Sequence, residues 1–406
     1  MAFEEIRSQT INPVGPFVAR PVLNTLERLH RGQLTVVLPQ GQRHVFTGDQ
    51  AGPVATMYLR RPLSLTARLL ARGSIGLAEG YMAGDWRAPE LTDVLHVLAL
   101  NEPELGALPE GRRAARLIDR LHHIAHRNSL RGSRRNIAYH YDLGNDFYRL
   151  WLDESMTYSA ALFSRPDEPL SEAQDNKYRR IIERLGARAG DHILEIGCGW
   201  GGFASYAARQ GLRVTGITLS REQLDFARAR MRDEGLEDRV ELRLQDYRQL
   251  DQRFDHVVSI EMFEAVGEEY WPQYFETVYD CLRPGGRASL QVITIDADRF
   301  ESYRQGTDFI QKYIFPGGML PSVEVFEQHA GAAGLAMRER DMYGADYAHT
   351  LKLWDQRVLA ASRDIEAMGF DERFLRMWRY YLAYCETGFK MGRIDLMQAA
   401  LERPAE

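Results

Sequence analysis

The segment Glu195-Ile196-Gly197-Cys198-Gly199-Trp200-Gly201-Gly202 follows a strand of buried type, His192-Ile193-Leu194-Glu195-Ile196, and opens onto a helix. Glycines at such a turn let a ligand approach the backbone, and the N–H groups of the next helix face it. The spacing departs from the Gly-x-Gly-x-x-Gly of dinucleotide turns: the third glycine comes early, and an acid, Glu195, precedes the loop. A pyrophosphate needs no acid there, whereas a ligand's ammonium group is well served by one. A second strand ends in Gly216-Ile217-Thr218-Leu219-Ser220, where the hydroxyl of Thr218 stands in for the acid that would hold ribose hydroxyls. Ser220 and Gln223 also form a Ser-x-x-Gln capping box for the next helix, which on spacing alone accounts for both. A third strand ends in Gln245-Asp246-Tyr247, an acceptor for an adenine amine beside a ring that can flank the base. Three strand ends in this order describe a site for a nucleoside that carries a positive charge.

The elements that must position these residues alternate regularly. A helix spans Glu172–Leu185, and after the glycine turn come helix Phe203–Gln210, strand Leu212–Thr218, helix Arg221–Glu234 and strand Arg239–Leu244. Strand Phe254–Ile260 and helix Trp271–Leu282 follow, and the turn Pro284-Gly285-Gly286 starts strand Ala288–Ile293. Such alternation predicts an α/β fold with a doubly wound parallel sheet, capped by the aromatic-rich helical stretch 346–390. Ahead of it, short strands from Leu34 to Leu59, broken by Gly41, Gly48 and Gly52, and helices from Leu63 to Leu100 predict a small mixed α/β domain. Between Arg112 and Arg135 lie eight arginines against one acid, Asp119, with Leu117, Ile118, Leu121, Ile124 and Ala125 at helical spacings. This reads as a basic amphipathic helix, suited to a solvated face or to an anionic membrane surface. The domain boundary is placed there, giving 1–128 and 129–406.

The whole chain has 406 residues and a net charge of −6, which argues against a dedicated nucleic-acid binder. Cys198, Cys281 and Cys385 are odd in number and far apart, which fits a reducing compartment. No apolar leader or membrane-spanning run is legible, so a cytoplasmic protein is expected. His122, His123 and His126 sit among so many arginines that a bound cation would be repelled, and no metal site is expected.

With Tyr139-His140-Tyr141-Asp142-Leu143-Gly144-Asn145-Asp146-Phe147-Tyr148, Met262-Phe263-Glu264-Ala265-Val266-Gly267 and Phe309–Gly318 added to the glycine loop, the chain closely resembles the cyclopropane-fatty-acyl-phospholipid synthase family. The likeness runs from about Asn136 to Glu402 and includes Gly344-Ala345-Asp346-Tyr347 and the helix around Tyr380–Cys385. It implies a class I methyltransferase sheet. The implied activity is transfer of the sulfonium methyl of S-adenosylmethionine to a cis double bond in an acyl chain of a membrane phospholipid, the alkene itself being the nucleophile. An enclosed pocket must then shield a carbocation with aromatic faces and carboxylates, for which Tyr141, Tyr158, Phe315, Tyr343 and Tyr347 are candidates. A homodimer, peripheral on the inner membrane surface, is also implied.

Carried over residue by residue, the family's cofactor contacts fall on Tyr158, Ser159, Glu195, Gly197, Cys198, Gly199, Gly201, Thr218, Leu219, Ser220, Gln223, Asp246, Tyr247 and Ile260. The resemblance also implies a bicarbonate ion that removes the proton closing the ring, held by a cysteine, a glutamate, a histidine, a backbone isoleucine and a tyrosine. Glu264, Ile293 and Tyr347 match, but Ala160 occupies the cysteine position and Gln291 the histidine position. Bicarbonate binding is therefore expected to be weak or absent, with Glu264 or the nearby Glu261 taking the base role. Cys385 matches a cysteine once regarded as active in the family and is the remaining catalytic candidate, although no base accompanies it and a buried structural thiol is the favoured reading. The two departures also make a methylated or methylene product an alternative to the cyclopropane. Two further readings, a lipid-binding protein that kept the fold without the chemistry and a small-molecule N- or O-methyltransferase, are disfavoured by the intact loop and by the aromatic C-terminal half.

Overall fold

The computed structural model describes residues 22–105 and 143–405. The basic run 112–135, Tyr141 and the boundary at 128/129 lie outside those residues. By its internal contacts the chain divides into two units, Met1–Ala115 with Glu372–Tyr380, and Arg116–Asp371 with Tyr381–Glu406.

In the first unit, strands β1 (Arg31–Val37), β2 (Arg43–Thr47), β3 (Gln50–Leu59) and β4 (Trp86–Arg87) form one sheet in the order β2-β1-β3-β4. Gly52 lies within β3 rather than ending it. The pairing of β1 with β3 shifts register between Arg31 and Gln33, and a Cβ on Gly52 would come within 2.8 Å of the Gly32 nitrogen, so glycine is what lets the two strands close. The helical stretch Pro62–Met82 breaks at Gly73, whose φ of 56° suits glycine. Its turn into β4 is held by the buried Asp85 carboxylate, which accepts from Ser64 Oγ at 2.7 Å and Arg68 Nε at 3.0 Å.

The second unit contains a seven-stranded sheet. Its strands are β5 (His192–Ile196), β6 (Arg213–Thr218), β7 (Val240–Leu244), β8 (Phe254–Ile260), β9 (Leu282–Ile295), β10 (Ala336–Met342) and β11 (Ile394–Glu402), in the order β10-β11-β9-β8-β5-β6-β7. The five strands β5 to β9 run parallel, whereas β11 pairs antiparallel with both β9 and β10. The expected doubly wound class I methyltransferase sheet is thus present, with β10 and β11 adding an antiparallel edge that the strand reading had not included. Strands β10 and β11 escaped the sequence reading because Ala336–Met342 is mostly charged and Ile394–Glu402 follows a long helical stretch. Strand β9 also starts earlier than expected, running through the Pro284–Gly286 turn.

Successive residues of a strand face opposite sides. Accordingly Leu194 and Val257 pack with Phe263, Trp271, Tyr274 and Phe326 on one face, while Ile193 and Val258 pack with Tyr178, Ile181, Phe203 and Leu224 on the other. The chain leaves β5 toward β6 and β7, then returns to the other side of β5 with β8. The carboxyl ends of β5 and β8 therefore flank a topological switch point, where open α/β sheets bind their ligands. Among the described residues no helix is long and apolar enough to cross a membrane, and no cluster of three His, Cys, Asp or Glu side chains is arranged to hold a metal ion.

Candidate active site

The glycine loop sits at this switch point. The Gly197 and Cys198 amides both donate to Ile217 O, at 3.0 and 2.9 Å, bending the chain back over the end of β6. Gly199 has a φ of 50°, and a Cβ there would meet nothing within 4 Å. Open space above a backbone in the left-handed region is what a closely approaching ligand requires. At the end of β5, Glu195 is 3% exposed, and its Oε2 is buried without a hydrogen-bond partner. Burial pushes its carboxyl up to about 8, with Lys177 pulling it down. An orphaned buried carboxylate oxygen beside an open glycine turn fits the ammonium end of S-adenosylmethionine.

The other carried-over cofactor positions surround the loop. Tyr158 shares a hydrogen bond with Tyr381, hydroxyl to hydroxyl at 2.8 Å, and Ser159 Oγ accepts from Lys177 Nζ at 2.6 Å. Arg230 Nη1 donates to Ser155 O at 2.6 Å and Trp200 O at 3.1 Å, clamping the segment that carries Tyr158 onto the loop. The predicted capping box is half present: Ser220 Oγ accepts from Gln223 N at 3.3 Å, but the Gln223 side chain turns back to accept from Thr218 Oγ1 at 3.0 Å. Asp246 is buried, and Arg248 grips both its oxygens, Nε to Oδ1 at 2.9 Å and Nη2 to Oδ2 at 2.7 Å. A carboxylate has further lone pairs for an adenine amine, although spacing alone gave no sign of this arginine. Tyr247 and Cys198 are buried, Leu219 and Ile260 half-buried.

From Trp200 an aromatic wall runs away from the loop. Ring centroids lie 4.9 Å apart for Trp200–Tyr148, 5.5 Å for Tyr148–Tyr158, 5.5 Å for Tyr158–Trp354 and 6.3 Å for Trp354–Tyr347. Phe315 packs on Tyr381 at 6.1 Å. Tyr343 stands apart, giving its hydroxyl to Asp341 at 3.2 Å.

At the far end of the wall are two buried glutamates. Glu261, directly after β8, has a φ of 49°, a conformation that costs a non-glycine residue about 1–3 kcal/mol. Its Oε1 accepts from Ala160 N at 2.9 Å and Gln291 Nε2 at 2.7 Å, and its Oε2 from the Tyr347 hydroxyl at 2.5 Å. Gln291 is held in that orientation by Gln398 Nε2, which donates to its Oε1 at 2.8 Å. Glu264 Oε1 accepts from Ile293 N, while its Oε2 is buried without a partner. Burial and the neighbouring Glu261 push Glu264 up to about 8. Glu261 is raised as well, by burial, but its donors Tyr347, Gln291 and Ala160 and the nearby Lys177 oppose the shift. The two carboxyls thus differ in support: three donors and Lys177 favour the charged form of Glu261, whereas the buried Oε2 of Glu264 has no donor to favour its charged form.

Lys177 is the residue that the sequence reading missed. It is fully buried, and burial lowers its ammonium to about 7 against the pull of Glu261, Asp153 and Glu195. The signal was present: Ala173, Lys177, Ile181 and Leu185 recur at four-residue spacing on one helix, putting a lysine in the inward stripe. Cys385 lies near Tyr347 and Tyr381, but burial followed by the nearby Asp308 pushes its thiol far up, the opposite of an activated nucleophile.

The profile of the family described as "Mycolic acid cyclopropane synthetase" matches residues 128–399. The chain is 41% identical to the tuberculostearic acid methyltransferase UfaA1 of Mycobacterium tuberculosis over 88% of its own length and 85% of that protein's. It is 37% identical to the cyclopropane-fatty-acyl-phospholipid synthase of Escherichia coli K12, over 84% of this chain and 86% of the other. The crystal structure of mycolic acid cyclopropane synthase CmaA1, solved with SAH and CTAB, superposes with a TM-score of 0.63 at 31% identity, covering 66% of this chain and 98% of that one. A glycine turn at the switch point, an aromatic wall and a buried carboxylate pair are therefore found in a chain that belongs to the mycolic acid cyclopropane synthetase family of S-adenosylmethionine-dependent methyltransferases.

Proposed function

We propose that this enzyme methylates a cis double bond in an acyl chain of a membrane phospholipid and closes a cyclopropane ring. The observation that carries the reading is the aromatic wall from Trp200 to Tyr347, which ends on buried glutamates. An amine or hydroxyl substrate asks for a polar pocket with a base at the nucleophile, whereas an alkene asks for a dry, apolar channel. The bound S-adenosylmethionine supplies an electrophilic methyl group on a sulfonium. Glu195 and the Gly197–Gly201 loop hold and orient that cofactor, with Asp246 and Tyr247 at its adenine and Thr218 at its ribose. The alkene π pair forms a bond to the methyl carbon as the carbon–sulfur pair stays with sulfur. The faces of Tyr158 and Trp354 then stabilise the positive charge left on the neighbouring chain carbon. The relatives' names support a lipid substrate. The basic run 112–135 supports docking on an anionic membrane, at about 1 kcal/mol for each basic side chain near the surface.

A second reading keeps cofactor and lipid but gives a methylene branch. It is favoured by Ala160 and Gln291, which supply neither the thiol nor the imidazole that ring closure was expected to use. Both products are redox-neutral, because each follows from loss of one proton, whereas a saturated methyl branch needs a hydride donor as well. The test is mass spectrometry of phospholipid fatty acids after incubation with methyl-labelled S-adenosylmethionine and vesicles of cis-monounsaturated phosphatidylglycerol. A ring and a methylene branch have equal mass and are separated by catalytic hydrogenation and fragmentation. Absence of label from lipid sinks both readings.

A further inference from the structure

The five positions expected to ligate a bicarbonate ion are already engaged with one another and with Glu261. The Ala160 amide, the Gln291 side chain and the Tyr347 hydroxyl converge on the Glu261 carboxylate. The remaining two, Glu264 and the Ile293 amide, bond to each other. A planar carboxylate with three donors on its two oxygens is what a bound bicarbonate would present in the same place. The backbone contributes to this arrangement, since Glu261 adopts a left-handed φ and donates its own amide to Gln291 O at 2.8 Å. A strained, buried glutamate held from three sides is a residue fixed for a task.

We propose that the Glu261 carboxylate is the resident anion of this site, taking the place of a dissociable bicarbonate and accepting the proton lost in the reaction. The assignment rests on the lipid-alkene reading above. In the step itself, a C–H bond beside the cationic carbon breaks and its proton passes to Glu261. With the cation on the chain carbon next to the methyl-bearing one, the electron pair of a methyl C–H bond closes the third ring bond; after a 1,2-hydride shift that moves the cation onto the methyl-bearing carbon, the same pair forms the carbon–carbon double bond of a methylene branch. Either way the product is neutral and S-adenosylhomocysteine is the leaving group. Glu264, with a free buried Oε2, is placed to relay the proton onward, and Lys177 balances the charge on Glu261.

The test compares wild type with Glu261→Gly, which suits the left-handed backbone and leaves a carboxylate-sized gap facing three donors, and with Glu261→Gln, which fills the gap without charge. Two readouts are taken in carbonate-free buffer with bicarbonate or formate added back: lipid methylation, and broadening of the 13C resonance of labelled bicarbonate or formate by the protein. Wild type should be indifferent to either anion and broaden neither. The glycine variant should lose about 10²-fold in rate or more, broaden both resonances and recover at least about tenfold in rate with added anion. The glutamine variant should lose a similar factor and recover nothing. Unchanged S-adenosylmethionine affinity by calorimetry certifies the fold of each variant. Stimulation of wild type by bicarbonate, bicarbonate binding to wild type, or wild-type turnover in either variant would overturn the assignment. A wild type that labels no lipid while the anion-binding pattern holds defeats the functional reading and leaves the anion assignment supported.

Discussion

The two ends of the aromatic wall are built by different means. At the cofactor end, the geometry is in the backbone: glycines at Gly197, Gly199 and Gly201, two amides sharing one carbonyl, and a helix start. At the acceptor end it is in side chains drawn from distant segments, with Ala160, Glu261, Gln291, Tyr347 and Gln398 meeting from across the chain. A backbone device depends on one short stretch and fails as a whole when that stretch is altered. A converging side-chain device can lose or exchange a member and still hold an anion, and the exchange of expected ligands at Ala160 and Gln291 falls at that end.

Mutations should expose this asymmetry. The largest effect is expected from Gly199→Val, because a β-branched side chain enters the open space above the loop and must adopt a φ of 50°. S-adenosylmethionine binding should fall below detection in calorimetry, while the thermal midpoint drops only by the equivalent of about 1–2 kcal/mol. Binding that survives would remove the loop from the cofactor site. Next, Glu264→Gln should slow lipid methylation about 10²-fold with cofactor affinity nearly unchanged, in keeping with loss of a proton-handling group. Equal losses in rate and in cofactor binding would instead mean that the two ends are not separable.

Asp246→Ala is expected to weaken cofactor binding by about 1–3 kcal/mol, provided its carboxylate serves both Arg248 and the adenine amine. An unchanged dissociation constant would assign Asp246 to Arg248 alone. The smallest effect concerns pH. Glu195 has its carboxyl raised to about 8, so below that value it is largely protonated, and pairing with an ammonium requires the proton to leave. Cofactor affinity should therefore rise with pH between roughly 6 and 8, by up to about tenfold per unit, with release of about one proton. Calorimetry in two buffers of different ionisation enthalpy measures that proton directly, and a heat independent of buffer would contradict the role given to Glu195.

Legibility in the sequence follows the same division. Strand β8, Phe254–Ile260, and the two helices that follow the glycine loop were readable to within a few residues, because hydrophobic period and glycine placement are local properties. The antiparallel strand β10 was not, since Ala336–Met342 has four of its seven residues exposed and carries charge on both faces. Glu261 was noticed only as a neighbour of Glu264. Its left-handed φ and its three donors depend on residues up to 101 positions away, beyond the reach of any window along the chain. Arg248 on Asp246 and Lys177 on Ser159 were overlooked for a related reason: spacing reports which residues share a face, not which charges remain uncompensated on it.

Strand β11 is the last of the strands in the chain, and it lies between β9 and β10. Through Gln398 it also fixes the amide of Gln291, and through that amide the carboxylate of Glu261. During synthesis on the ribosome the cofactor loop emerges about two hundred residues before this strand. Until Ile394–Glu402 has been made, β9 has an open edge and Gln291 has no partner to orient it. Until this strand has formed, the arrangement around the Glu261 carboxylate lacks the side chain that orients it, whereas every residue of the glycine turn has long been synthesised.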